Sequence, residues 1–150
     1  MIALVQRVRH ARVRIGDRTT GEIGQGLLIL LGVHTSDTAS EAEWLASKCA
    51  NLRIFPDDED KMNRSVLDHG GSVLVVSQFT LYGNALKGNR PSFIESARPE
   101  TAEPLYEAFC LAISNQMGSA PQRGEFGAMM DVELCNWGPV TLHIERRNSE

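Results

Sequence analysis

Two stretches of the chain are apolar at almost every position. Residues 27–31 read Leu-Leu-Ile-Leu-Leu, followed by Gly32-Val33, and residues 73–76 read Val-Leu-Val-Val. Neither alternates, so both predict strands covered on each face of a sheet, with 27–33 central. The second run continues to residue 81 and changes character: Ser77, Gln78 and Thr80 set three hydrogen-bonding side chains beside Phe79 and Leu81. The first fifteen residues behave differently. Arginines at 7, 9, 12 and 14 alternate with apolar residues, but the apolar positions switch from even to odd numbers around His10-Ala11. A period-two strand needs a bulge or tight bend to do this. Gly16-Asp17 is a two-residue hairpin loop, a short strand spans 19–23, and Gly24-Gln25-Gly26 turns the chain into the first apolar run.

The apolar period lengthens after Ser36-Asp37-Thr38. Ala42, Leu45, Ala46, Cys49 and Leu52 form one helical stripe, and Thr38 with Glu41 has capping-box spacing. Residues 53–55 predict a brief strand ended by Pro56, and Asp57-Asp58-Glu59-Asp60 reads as a solvated turn. A second helix begins near Pro99, buries Leu105, Phe109, Ala112, Ile113 and Gln116 or Met117, and stops at Gly118. Between them, residues 82–98 predict a long irregular segment. The tail returns to strand over 130–135 and 140–144, joined by a turn at Asn136-Trp137-Gly138-Pro139, and 146–150 should fray. The sum is one α/β (α+β) domain over residues 1–150, with a mixed, partly closed, barrel-like β-sheet and two main helices.

Composition narrows the function. With 150 residues and 42% hydrophobic content, the chain buries a core without staples. No stretch reaches membrane-span length, and Arg7 and Arg9 follow the first apolar residues rather than precede them, unlike a signal peptide. The expectation is a cytoplasmic protein with no membrane partner. Cys49, Cys110 and Cys135 form no C-x-x-C pair and predict reduced, buried thiols; the four histidines show no metal-ligand spacing. No metal and no cofactor are expected. A net charge of −4 excludes gripping long nucleic acid by bulk electrostatics. Five of the fifteen basic residues nevertheless fall within the first eighteen positions, a solvated strand face or a local hold on a few phosphates.

Familiar catalytic sets are missing: no G-x-S-x-G elbow, no Walker loop, no dinucleotide-binding glycine pattern. The polar patch at 77–80 is either a strand end nearing the surface or a pocket floor offering hydroxyls and N–H groups to a ligand. Ser77 or Thr80 needs a neighbouring base to act as a nucleophile, and sequence does not put His10, His34, His69 or His143 beside them. Lys87-Gly88-Asn89-Arg90-Pro91-Ser92-Phe93 combines two cations with an aromatic, suited to phosphate and base or to an ordinary surface loop. Gly138-Pro139 removes a ladder donor and permits unusual backbone angles, which ordinarily marks a turn.

Ser77-Gln78-Phe79-Thr80-Leu81 and Asn136-x-Gly138-Pro139-Val140-Thr141 together resemble the two signature motifs of the D-aminoacyl-tRNA deacylase (D-tyrosyl-tRNA(Tyr) deacylase) family. The resemblance extends to Met1-Ile2-Ala3-Leu4-Val5-Gln6-Arg7-Val8, Gly21-Glu22-Ile23-Gly24, Lys61-Met62-Asn63, Gly70-Gly71-Ser72 and Arg90-Pro91-Ser92-Phe93. It implies a homodimer, active site at its interface, that hydrolyses the ester of D-aminoacyl-tRNA in chiral proofreading. It further implies a cis Gly138-Pro139 bond lent to the partner subunit's pocket as a chiral gate, Ser77, Gln78, Phe79 and Thr80 as the facing catalytic wall, and Arg7 as a brace for the Gly-Pro element. Two mechanisms stay open: assistance by the terminal ribose 2′-OH, or Thr80 as a covalent nucleophile. A non-catalytic accessory module of the same fold, binding RNA ends or a partner protein, is the alternative. Trp137, Arg98 before Pro99, and Asp60 before Lys61 depart from the family pattern.

Overall fold

A computed structural model of the protein describes residues 1–148. The sheet is built on β1 (Ile2–Ile15). One edge of β1 pairs antiparallel with β8 (Asp131–Glu145), while the other is shared between β3 (Gly26–Gly32) at residues 2–8 and β2 (Arg18–Ile23) at residues 11–15. Beyond β3 lie β6 (Ser72–Ser77) and β7 (Gln122–Arg123), both in parallel pairing. The far strands then approach each other: Gly21 of β2 lies so near β7 that a Cβ there would sit 2.6 Å from the Arg123 carbonyl oxygen. This mixed α/β architecture is a nearly closed, barrel-like sheet.

The apolar runs have a direct explanation. Val8, Ala11, Val13, Leu28, Leu74 and Val76 fill one core. Leu27, Ile29, Leu31, Val73 and Val75 face the opposite way, into the core shared with the helices α1 (Ala39–Asn51) and α3 (Pro99–Met117). Strands wet on neither face have no reason to alternate. The expected irregularity in β1 lies a residue or two ahead of His10-Ala11: Arg9 and His10 are exposed in succession, and the register with β8 shifts on either side of Val8.

Both main helices form where expected, α1 with the Thr38/Glu41 capping box and α3 ending at Gly118. The Thr38 hydroxyl, hydrogen-bonded to Glu41, holds that carboxyl below its ordinary pKa. The buried face of α3 differs from expectation. Phe109 and Ile113 are buried, but Ala102, Tyr106 and Cys110 complete the stripe, while Leu105, Ala112 and Met117 are only partly covered. Tyr106 takes an inner place because its hydroxyl donates to the Val75 carbonyl at 3.1 Å. Some elements carried no sequence signal, among them β7 and a single turn α2 (Val66–His69) capped by Ser65 and Asp68. β4 (Phe55–Pro56) and β5 (Met62–Arg64) pair across the acidic turn, where Asp57 accepts the N–H groups of Glu59 and Lys61.

The expectation of fraying after residue 145 is corrected for the described residues. The Met1 ammonium is buried against Asp37 at 2.9 Å and donates to the Arg146 carbonyl at 2.7 Å, while the Arg146 N–H returns to Met1 O. Residues 149–150 lie outside the described residues.

The cysteines are free, and Cys135 is half-buried rather than buried as expected. Burial pushes the Cys49 thiol up to about 12 and the Cys110 thiol to about 11. Both therefore stay protonated and unreactive near pH 8. Alkylation of the native protein at that pH should modify Cys135 alone, and all three after denaturation, as read by mass spectrometry.

Candidate active site

The polar residues after the second apolar run do not continue the strand to residue 81. β3 ends at Gly32, and the last sheet bond of this segment is the Gln78 N–H donating to Leu31 O at 2.8 Å. Without a neighbour to pair with, the chain winds into a 3-10 turn, Phe79–Tyr82. Its first internal bond runs from Leu81 N–H to Gln78 O, and no side chain caps its start. The N–H groups of Phe79 and Thr80 precede that bond and are left available. Ser96 Oγ fixes the turn by donating to the Phe79 carbonyl at 2.8 Å, and the Phe79 ring, 56% exposed, meets Phe93 edge-on at 5.2 Å.

Ser77, Gln78 and Phe79 form one wall of a cleft of about 660 Å³, within the range of small-molecule sites. The rest of its lining is mainly apolar and includes Leu31, Val76 and Ala102 together with residues 126–130, among them Phe126 and Met130. Thr80 lies just outside this lining, and its hydroxyl accepts from the Gln78 amide. Among the described residues no histidine hydrogen-bonds to that hydroxyl. His34 contacts Ser36 and Tyr82, and His69 contacts Gln25 and stacks on Phe55. No group of His, Cys, Asp or Glu among the described residues is arranged to hold a metal ion.

Residues 136–139 are not a turn between two strands but part of one continuous strand, β8. β1 shows why. Val8 pairs with Asn136 and Gln6 with Thr141, so four residues of β8, 137–140, stand opposite Arg7 alone. The excess chain bulges from the sheet, and it does so at Pro139, which has no N–H to give to the ladder. Gly138-Pro139 is cis, as expected, and both residues are exposed. Asn136 ties off the base of the bulge: its Oδ1 accepts the Val140 N–H at 2.9 Å, and its Nδ2 donates to Thr141 Oγ1 at 2.8 Å. These roles for the first and last motif residues were not assigned from sequence. Gly138 has φ +132, and a Cβ there would meet Val140 Cγ2 at 2.9 Å and Arg7 Nη2 at 3.0 Å.

Arg7 fills the space beneath. Buried in the sheet, it donates from Nε to Trp137 O at 3.0 Å and from Nη1 to Ile54 O at 2.7 Å, with its guanidinium 4.3 Å from the Trp137 ring centre. Burial first, and the Arg9 cation second, lower its pKa from the ordinary value; an arginine stays charged at neutral pH all the same. Trp137, a departure from the family pattern, is thus the stacking partner of the brace.

The expected site residues therefore form two assemblies. Ser77, Gln78 and Phe79 line the cleft with Thr80 at its edge; Gly138 and Pro139 lie in the bulge with Arg7 bonded to it from β1, and neither Gly138 nor Pro139 lines the cleft. In sheet register Arg7 lies beside Leu27 and Ser77 beside Leu31, four residues apart along β3, or about 13 Å at the rise of a strand. The contributions of Phe126 and Met130 were not found from sequence, where the segment after α3 shows no periodicity.

Among known proteins, the D-Tyr-tRNA(Tyr) deacylase family matches residues 4–145 of the chain. The D-aminoacyl-tRNA deacylase of Salinibacter ruber is 57% identical over 150 residues, covering 100% of both chains, and that of Parabacteroides distasonis is 49% identical with the same coverage. A solved c-Myc DNA unwinding element binding protein superposes with a TM-score of 0.92 at 39% identity, covering 99% of this chain and 100% of its own. A probable eukaryotic D-amino acid tRNA deacylase shares the fold at a TM-score of 0.82 and 17% identity, covering 95% and 97%. With that agreement along its whole length, and with both motifs folded into a cleft and a braced bulge, the chain belongs to the D-Tyr-tRNA(Tyr) deacylase family.

Proposed function

We propose that the protein hydrolyses the ester joining a D-amino acid, or glycine, to the 3′ end of tRNA in the cytoplasm, as a homodimer in which each copy lends Gly138-Pro139 to the other's cleft. Family membership and the names of its relatives support the deacylase activity. No helix among the described residues is long and apolar enough to cross a membrane. The observation that carries the finer reading is the separation of the two assemblies. The bulge at 137–140 is stiff, exposed and held by Asn136 and Arg7, yet neither of its exposed residues lines the cleft of its own chain. A second copy supplies what a single chain does not bring together.

A main-chain wedge has no rotamer with which to yield. A D-amino acid points its side chain away from such a wall, whereas the L enantiomer drives its Cβ into it, so selection works by exclusion. Glycine has no Cβ to exclude, which is why glycyl-tRNA is included. For the chemistry, water attacks the ester carbonyl with help from the neighbouring ribose 2′-OH. The N–H groups of Phe79 and Thr80 stabilise the oxyanion; the 2′-OH takes the proton of the attacking water and passes its own to the ribose 3′ oxygen, which departs as a hydroxyl as the ester C–O bond breaks. This accords with a Thr80 hydroxyl whose partner is the Gln78 amide, a group unable to take a proton.

Release of free D-tyrosine from D-tyrosyl-tRNA by the purified protein tests the proposal. Turnover by a dimer is the expected result; tight binding of the RNA end without release would make the chain a non-catalytic module instead.

A further inference from the structure

Lys87, Arg90 and Arg98 stand apart from the other cations. Among the described residues, every other lysine and arginine side chain is in an ion pair, donates to a carbonyl or amide oxygen, or lies over an aromatic ring. These three do none of this, and all three are exposed. They also share one neighbourhood. The loop carrying Lys87 and Arg90 is closed at its base by a pair of hydrogen bonds between Asn84 and Ser92, at 2.7 and 2.8 Å, so both are held on a short pinned loop. Phe93, just beyond it, packs edge-on against Phe79. Arg98 lies between Ala97 and Pro99, both of which line the cleft.

Arg98 is also a poor choice for folding. It occupies the N-cap of α3 without a side-chain cap bond, where Ser, Thr, Asp or Asn stabilises a helix and a cation opposes the helix dipole. The nearby Glu95 carboxylate is already engaged by His34 and Arg147. Cations left without partners around two exposed aromatic rings match what single-stranded nucleic acid requires: charge for its phosphates and ring faces or edges for its bases.

We propose that Lys87, Arg90 and Arg98 bind backbone phosphates of the single-stranded RNA whose terminal nucleotide enters the cleft, across the Phe79–Phe93 edge. The inference rests on the deacylase reading for the identity of the RNA. These contacts hold the strand without reading its bases. Each contributes about −0.7 to the slope of log affinity against log salt, roughly −2 for the three.

The test measures binding of uncharged tRNA across a salt series. Lys87→Gln/Arg90→Gln/Arg98→Gln should bind roughly 10-fold more weakly at low salt, with a slope shallower by about 2. Lys87→Gln/Arg90→Gln, which leaves the helix cap untouched, should lose about 1.4 of the slope. A control with the same net charge, Lys48→Gln/Arg53→Gln/Arg64→Gln, should keep the wild-type slope. Equal losses in the first triple variant and the control, or an unchanged slope in the first, overturn the proposal. Release of D-tyrosine is followed in parallel: RNA binding that depends on the three cations but comes without release supports the proposal and removes the deacylase reading. Release by a triple variant with the wild-type slope does the reverse.

Discussion

D-Tyrosyl-tRNA whose terminal adenosine lacks the 2′-hydroxyl should be hydrolysed on the order of 10²–10⁴-fold more slowly than the ribose form, the range that a positioned proton-transfer group contributes. Thr80→Ala should keep most of its activity on the ribose substrate. Both follow from the surroundings of Thr80. Its hydroxyl accepts from the Gln78 amide, and no histidine among the described residues adjoins it, so nothing activates it as a nucleophile. The N–H groups at the start of the 79–82 turn belong to the main chain and survive the substitution. Single-turnover release of labelled D-tyrosine, with substrate bound in both cases, separates the chemical step from binding. An inactive Thr80→Ala with an active deoxy substrate would reverse the assignment and make Thr80 Oγ the nucleophile.

Arg7→Ala should lower kcat/KM for D-tyrosyl-tRNA on the order of 100-fold, the cost of misplacing a binding surface by about an ångström. On the proposed reading Arg7 is a positioning residue: it donates to Trp137 O and Ile54 O and stacks on the Trp137 ring, so its loss should free the strand that carries Gly138. The two carbonyls lose a charged donor, each such bond being worth about 1.5–3 kcal/mol, and the melting temperature should fall with activity. A loss of selectivity distinguishes positioning from simple destabilisation. The ratio of D- to L-ester turnover should narrow in the folded fraction of Arg7→Ala, whereas a core substitution of equal stability cost leaves that ratio alone. Arg7→Lys should recover little, because an ammonium lacks the planar fork that reaches two carbonyls at once.

Much of the fold was legible because local pattern and tertiary role agree. Runs such as 27–31 and 73–76 have one physical explanation, cover on both faces, and the two cores provide it. Thr38 with Glu41 marks a helix start through bonds only three residues apart. What the sequence hid depends on distant partners. β7 is two residues long and exists through its pairing with β6, and β8 runs unbroken through Gly138-Pro139 because pairing with β1 resumes at Thr141. Tyr106 is buried where Leu105 was expected because the Val75 carbonyl accepts its hydroxyl.

The site divides the same way. Ser77, Gln78 and Phe79 announce themselves as polar or exposed residues ending an apolar strand. Phe126 reaches the cleft from an irregular segment with no periodicity to betray it, and Met130 from the position just before β8. Arg7 looked like one member of an alternating basic face. Its burial beneath the bulge is visible only once the strand 130 residues away is paired beside it.

The handedness of the proposed gate is tested most directly by the rates of hydrolysis of D-tyrosyl, L-tyrosyl and glycyl esters on otherwise suitable tRNA under single turnover. Forcing a Cβ against an unyielding main-chain wall costs about 3 kcal/mol or more, so the D ester should turn over roughly 100-fold or more faster than the L ester, with the glycyl ester hydrolysed alongside it. Similar rates for the D and L esters would contradict the wedge at Gly138-Pro139.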